Sequence, residues 1–169
     1  MANSILDLPW VGETRRNHAL EHATLHVLAA SLPGRPLAGH SNPTGFFVVG
    51  NASTLEVESA VTEALRRLRA GESELAIHPG CGTNLATSML IAGTFAWLVM
   101  RGSRSMWARM LKLPFAFAFG LLGFAISRPL GPRIQQKITT NADMGALRIV
   151  EVRPSLRGRM HAHRVITSA

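Results

Sequence analysis

Three residues near the start of the chain have the types and the spacing of a metal site. His18, Glu21 and His22 spell H-x-x-E-H, the inverted form of the zinc-peptidase helix motif. On an α-helix, residues i and i+4 lie one turn apart on the same face, so both imidazoles can bind one ion. Glu21 would lie beside that ion, where a carboxylate can accept a proton from metal-activated water. The motif predicts a zinc site with Glu21 as a candidate catalytic base.

His26 extends this row of histidines by one more turn. A rise of about 1.5 Å per residue separates it from His18 by about 12 Å, so the two cannot bind one ion at about 2 Å. The sequence leaves open which pair binds the ion. It is either His18 with His22, or His22 with His26, in which case His26 is the alternate ligand. Apolar residues recur at helical spacing on the other side, which predicts a helix with one solvated and one buried face.

A second candidate ligand set follows in a loop rich in glycine. His78 and Cys81 lie three residues apart in the sequence His-Pro-Gly-Cys-Gly-Thr-Asn. Neutral imidazole and thiolate are both good zinc ligands, so we expect His78 and Cys81 to complete a centre with His18 and His22. The alternative is a histidine bonded to the backbone and a cysteine that only fills space in a core.

Charge and aromatic content narrow the range of partners. The formal net charge is +8, and 16 of the 18 basic residues are arginines, dispersed along the chain. The chain has no tyrosine and its phenylalanines gather in apolar runs, so nucleic-acid binding is not expected. Dispersed arginines beside apolar segments favour an anionic membrane surface instead. Cys81 is the single cysteine, which excludes an intrachain disulfide.

Two uncharged apolar segments predict that the chain enters a lipid bilayer. They cover residues 85–100 and 113–127, close to the length of about 20 that crosses a membrane. Their proximity in the chain favours a two-helix transmembrane hairpin over a soluble core. The alternative for the second segment is a buried strand, because phenylalanine and alanine alternate in it.

Small residues recur along both apolar segments at the spacing that lets membrane helices approach closely. This pattern predicts packing within the hairpin, and it could also serve a membrane-protein partner or a homo-oligomer. The residues are Ser88, Ala92 and Ala96 in the first segment, and Ala116, Gly120 and Gly123 in the second.

The rest of the chain predicts a small mixed domain, so the fold class is α+β. We expect domain boundaries at 1–82 (polar domain with both motifs), 83–130 (membrane hairpin) and 131–169 (C-terminal β-hairpin packed on the first domain). Turn residues, a capping box at 53–56 and apolar periodicity locate the elements. These are helices over 15–32 and 53–69, and strands over 37–41, 46–49, 74–78, 147–152 and 160–166.

The expected orientation in the membrane rests on the distribution of basic residues. The beginning of the chain lacks a basic region followed by an apolar run, so no signal peptide is expected. Arg128, Arg133 and Lys137 follow the second apolar segment and favour the cytoplasm, whereas the basic link over 101–112 favours the opposite orientation. We expect a multi-pass protein of the bacterial inner membrane with both termini in the cytoplasm.

The chain resembles an uncharacterised family of small bacterial membrane proteins, familiar from cyanobacteria and related phototrophs. The resemblance covers nearly the whole chain and includes both apolar helices. It implies an integral membrane protein and brings no established activity. A motif-level similarity to the inverted-zincin metallopeptidases, of the insulinase and pitrilysin type, rests on H-x-x-E-H alone. The family resemblance is carried by HALEHAT at 18–24, HPGCGTNL at 78–85 and QKITT at 136–140.

Three functions are compatible with these features. The leading hypothesis is a membrane-anchored zinc hydrolase, peptidase-like, with Glu21 as base. The second is a non-catalytic membrane protein whose zinc site is structural, with all four coordination positions filled by protein. The third is an accessory subunit of a photosynthetic or redox membrane complex, in which a histidine could ligate a haem or chlorophyll. The sequence leaves open whether the protein is an enzyme.

Overall fold

The computed structural model describes residues 5–168 and confirms a mixed α+β fold. The described chain contains five α-helices and four β-strands. It forms two compact units, one from residues up to His78 together with those from Gln136 onward, and one from Pro79–Gln135. The H-x-x-E-H helix and the C-terminal β-hairpin belong to the first unit, and both apolar helices belong to the second.

The first helix, α1 (Pro9–Ser31), starts six residues before the predicted position. Pro9 is at the beginning of the helix, where its missing N–H costs no hydrogen bond. The helix stops before Leu32-Pro33, since the residue preceding a proline disfavours helical backbone.

The prediction of a solvated face on α1 is wrong. Glu21 is only 4% exposed and His22 only 1%. Their helix contacts the second helix, the first strand and the turn at Ser73–Ala76, so its central turns are surrounded by protein. Polar residues in the middle of α1 are therefore part of the interior.

The next segments follow the local sequence signals closely. Strands β1 (Leu37–Asn42) and β2 (Gly45–Gly50) form a hairpin in which Asn42 pairs with Gly45. Helix α2 (Thr54–Arg69) begins with the predicted capping box. Ser53 Oγ accepts the Glu56 backbone N–H at 3.3 Å, and Glu56 Oε2 accepts the Ser53 backbone N–H at 2.6 Å. These reciprocal bonds satisfy donors that the first helical turn leaves unpaired.

The C-terminal hairpin completes the sheet of the first unit. Strands β3 (Arg148–Arg157) and β4 (Met160–Ser168) pair with each other, and β4 also pairs with β2. The antiparallel order is β1-β2-β4-β3. One face of the sheet contributes Phe46, Val48 and Val165 to the hydrophobic core, where α1 and α2 pack.

The predicted strand over residues 74–78 is wrong. Ser73–Ala76 form a 3-10 turn, with the Ile77 N–H bonded to the Glu74 carbonyl at 3.0 Å. The segment contacts α1 and takes no place in the sheet order. Its backbone carbonyls are thereby available to side chains of α1.

The second unit contains two helices that are long and apolar enough to cross a membrane. They are α3 (Gly82–Met100, 19 residues) and α4 (Met106–Ser127, 22 residues), so the strand alternative for the second apolar segment is wrong. Many of their large apolar side chains are exposed, among them Leu90 (72%) and Phe117 (70%). Such an exposed apolar surface is typical of helices that contact lipid. The short helix α5 (Leu130–Ile134) follows α4, and the chain continues into a π-helical turn (Gln135–Thr139).

Small residues pack where α3 and α4 meet, as their spacing predicts. A Cβ atom added to Gly123 would lie 3.0 Å from Ala92 Cα, so a larger residue would require the two helices to shift apart. Ser127 Oγ donates a hydrogen bond to Ser88 Oγ at 2.7 Å in the same buried interface. Close backbone approach and the paired hydroxyls hold the hairpin together.

Candidate metal centre

Four histidines gather in the first unit, and three of them come from α1. His18 and His22 are one helical turn apart, and their ring centroids are separated by 4.3 Å with the rings edge to face. Their ligating nitrogen atoms lie within 4.8 Å of each other. Two zinc-bound nitrogens, each about 2 Å from the ion, are separated by less than about 4 Å, so small rotations would let both bind.

Backbone carbonyls orient the two rings of this pair. His18 Nδ1 lies 2.9 Å from the Thr139 carbonyl oxygen, and His22 Nδ1 lies 2.7 Å from that of Ala76. A carbonyl can only accept a hydrogen bond, so each Nδ1 carries the proton. In the neutral imidazole each Nε2 then presents its lone pair, as in most metal-bound histidines.

His26 is held in the opposite way. Its Nε2 lies 2.9 Å from the Ile77 carbonyl oxygen, so that nitrogen carries the proton and Nδ1 holds the lone pair. The ring of His26 lies 4.9 Å from that of His78. The orientation of the rings therefore favours the predicted pair of His18 with His22 over the alternate pair that includes His26.

His78 reaches the same cluster from the loop after the 3-10 turn. Its ring centroid is 5.6 Å from that of His22. Burial lowers the pKa of His78 to about 4, with further contributions from His26 and His22. The imidazole of His78 is therefore neutral at pH 7, which is the form that binds a metal.

Glu21 lies against the sheet rather than at the protein surface. A Cβ atom added to Gly39 of β1 would overlap the Glu21 carboxylate, since Glu21 Cδ would be only 2.5 Å away. Gly39 is therefore required for the close approach of α1 and β1. It had no signal in the sequence, because a glycine in a strand does not indicate which residue will pack on it.

Cys81 belongs to the second unit, where it caps α3. Its Sγ accepts the Thr83 backbone N–H at 3.4 Å, and the side chain is 9% exposed. Asn84 also stabilises this loop, because its side chain donates to the Pro79 carbonyl and accepts from Gln135 Nε2 at 2.6 Å. The role of Cys81 as a ligand stays a prediction.

Sequence reasoning missed the groups that hold α1 in place. Asn17 is 1% exposed and donates to the carbonyls of Asn42 and Pro43, at 3.0 and 2.9 Å. Thr167 of β4 donates to Asn17 Oδ1 at 2.7 Å. Arg15 donates to the carbonyl of Thr140, at the end of the segment that bonds His18. Most of these acceptors are backbone oxygens, which carry no signal in a sequence.

Fold and site define a class of protein with a mixed domain, a histidine cluster and two long apolar helices. The chain matches a domain of unknown function, DUF6391, over residues 13–152. It therefore belongs to this family, which confirms the expectation of an uncharacterised family.

A relative from the cyanobacterium Picosynechococcus sp. is described as an uncharacterised protein. It is 36% identical over 144 residues, covering 75% of this chain and 65% of the relative. The chain thus spans about two thirds of the length of that relative. No solved structure matches the chain.

Substitution of Gly39 tests the packing of Glu21 on β1. We expect Gly39→Ala to lower the free energy of unfolding by about 1–3 kcal/mol, because the added methyl group displaces a buried carboxylate. Urea unfolding of the detergent-solubilised protein, followed by circular dichroism, measures the change.

Gly12→Ala is the matched control, since a Cβ atom added to Gly12 meets nothing within 4 Å. In the Glu21→Ala background, Gly39→Ala should lower the free energy of unfolding less than it does in the wild type, because the carboxylate that it displaces is gone. Equal effects of the substitutions at Gly39 and Gly12 would contradict this account of the packing.

Proposed function

We propose that the protein is a membrane-anchored zinc-binding protein in which His18 and His22 bind the ion. The observation that carries this proposal is the arrangement of their hydrogen bonds. Both Nδ1 atoms are bonded to backbone carbonyls, so the neutral rings carry their lone pairs on Nε2. Nitrogen ligands with this arrangement suit zinc.

His78 and Cys81 are the further ligands in this proposal. The low pKa of His78 keeps its ring neutral at pH 7, so no proton competes with the ion. Cys81 follows three residues later, and three residues of extended chain span at most about 11 Å. Chain connectivity thus limits how far Cys81 can lie from His78. Two imidazoles from α1, a third from the loop and a thiolate would give a tetrahedral set.

Replacing the two helical ligands tests the metal centre. Zinc content of the detergent-purified full chain, measured by elemental analysis, should fall from about one ion per chain to near zero in His18→Ala/His22→Ala, because two ligands are lost. His40→Ala/His161→Ala is the matched control, since it also removes two histidines and should keep the ion. Equal zinc content in wild type and His18→Ala/His22→Ala would overturn the proposal.

The anchor in this proposal is the hairpin of α3 and α4, placed in the bacterial inner membrane with both termini in the cytoplasm. Support comes from the exposed apolar side chains of both helices and from the basic residues that follow α4. The relative from a cyanobacterium supports a bacterial membrane.

A reporter fused to the C-terminus tests this topology. Fusion to a cytoplasmically active enzyme should give activity in intact cells, and fusion to a periplasmically active phosphatase should not, because the C-terminal hairpin stays inside. A phosphatase fused after Ser103, in the loop between the helices, is the matched control and should be active. Activity of the C-terminal phosphatase fusion would contradict the proposed orientation.

The second candidate function is hydrolysis, peptidase-like, and a specific observation on Glu21 favours it. The carboxylate is 4% exposed on a helix that also carries the candidate ligands one and three residues away. Burial of a carboxylate costs free energy, and groups retained at this cost are often functional. With either His78 or Cys81 as the third protein ligand, zinc would keep one position for water and would acidify it, and Glu21 would accept its proton. The motif-level similarity to inverted-zincin peptidases supports the same role.

Glu21→Gln separates hydrolysis from a structural role for zinc. We expect this variant to retain zinc. Its rate of hydrolysis of fluorescein-labelled casein should fall at least about 100-fold, because a carboxamide cannot accept the proton. Glu58→Gln, at an exposed position of α2, is the control and should behave as wild type. Unchanged hydrolysis in Glu21→Gln would refute the role as base. Zinc without any hydrolysis by wild type would favour the structural role.

A further inference from the structure

The face of the sheet that points away from the core carries a cluster of arginines around an aromatic ring. In register, Arg164 of β4 lies between Phe47 of β2 and Arg153 of β3. The guanidinium carbons of Arg157 and Arg164 lie 3.9 and 4.7 Å from the centre of the Phe47 ring. We call these four residues the arginine face.

The positive charge of the arginine face is not balanced by neighbouring carboxylates. Within residues 5–168, ion pairs involve Arg35, Arg66 and Arg67, and none of the arginines of this face. Glu151, two residues before Arg153 on β3, is exposed and forms no ion pair with the arginine face in the part of the chain described. These arginines are therefore available to pair with an anion.

Arg164 shows that this charge is built into the domain rather than displayed on a mobile side chain. The residue is only 8% exposed, and its Nη2 donates to Asn42 Oδ1 at 2.9 Å and Thr44 Oγ1 at 2.8 Å. Its Nη1 is buried and has no acceptor among residues 5–168. Burial, together with Arg153 and Arg157, lowers the pKa of Arg164. Holding like charges together costs free energy that a bound anion would offset.

We propose that the arginine face binds the phosphate groups of anionic phospholipids. Guanidinium groups bind phosphate through paired hydrogen bonds, and stacking on Phe47 limits the orientations of two of them. The occupant is lipid because the sheet domain is joined directly to α3 and α5, at residues 78/79 and 135/136, which ties it to a bilayer. This inference rests on the membrane anchor of the proposed function.

Site-specific photocrosslinking of the full chain in nanodiscs tests this inference. The crosslinker p-benzoylphenylalanine replaces Met160, which is exposed and pairs with Arg157 across the β3–β4 turn. In discs with equal amounts of phosphatidylglycerol and phosphatidylcholine, mass spectrometry of the adducts should show at least about fivefold more phosphatidylglycerol. One basic residue near an anionic surface favours that lipid by roughly this factor, and the arginine face exposes two, Arg153 and Arg157.

Arg153→Gln/Arg157→Gln should return the adduct ratio to about one, because both exposed arginines of the face are neutralised. Arg66→Gln/Arg67→Gln is the matched control, since it removes the same charge from α2, where both arginines already pair with carboxylates, and should keep the enrichment. Incorporation into discs reports the anchor separately. Three outcomes would each overturn the lipid assignment. The wild type could form equal adducts with the two lipids, or it could crosslink preferentially to added RNA. Millimolar inorganic phosphate could also compete and abolish the enrichment.

Discussion

The interior position of α1 is the constraint on which the first unit depends. Its central turns carry Asn17, Glu21 and His22, all at most 4% exposed. A buried polar group that finds no partner costs about 1–3 kcal/mol, so the surrounding chain must supply hydrogen bonds. For Asn17 and His22 it does so from segments far apart in sequence, at Asn42 and Ala76, and the Thr139 carbonyl bonds His18 on the same helix. The helix thereby ties the sheet, the 3-10 turn and the π-helical turn into one unit.

The same hydrogen bonds determine what the histidines can do. Because carbonyls accept at Nδ1 of His18 and His22, the contacts that stabilise the domain also set the orientation in which these rings would meet the proposed ion. His26 also bonds a backbone carbonyl, but it does so through Nε2 rather than Nδ1. The backbone contact thus decides which ring nitrogen of each histidine keeps its lone pair.

Strand order has an equally strong effect on the charge distribution. Arginines that are dispersed in sequence become neighbours because β4 lies between β2 and β3. Phe47, more than a hundred residues from its two arginine partners, then lies beneath them. Positive charge is therefore concentrated on one face of the sheet, whereas Arg66 and Arg67 of α2 are neutralised locally by Glu63 and Glu72.

Local patterns in the sequence determined most of the elements. The capping box at Ser53 begins α2 where expected, and uncharged apolar segments become α3 and α4, because these signals act over a few residues. The H-x-x-E-H spacing likewise brings His18 and His22 together on one turn. Tertiary structure alone decided that this helix is buried, that Glu21 packs on Gly39, and that backbone carbonyls orient the imidazoles. Each of these depends on partners remote in sequence, and a backbone oxygen is the same at every residue.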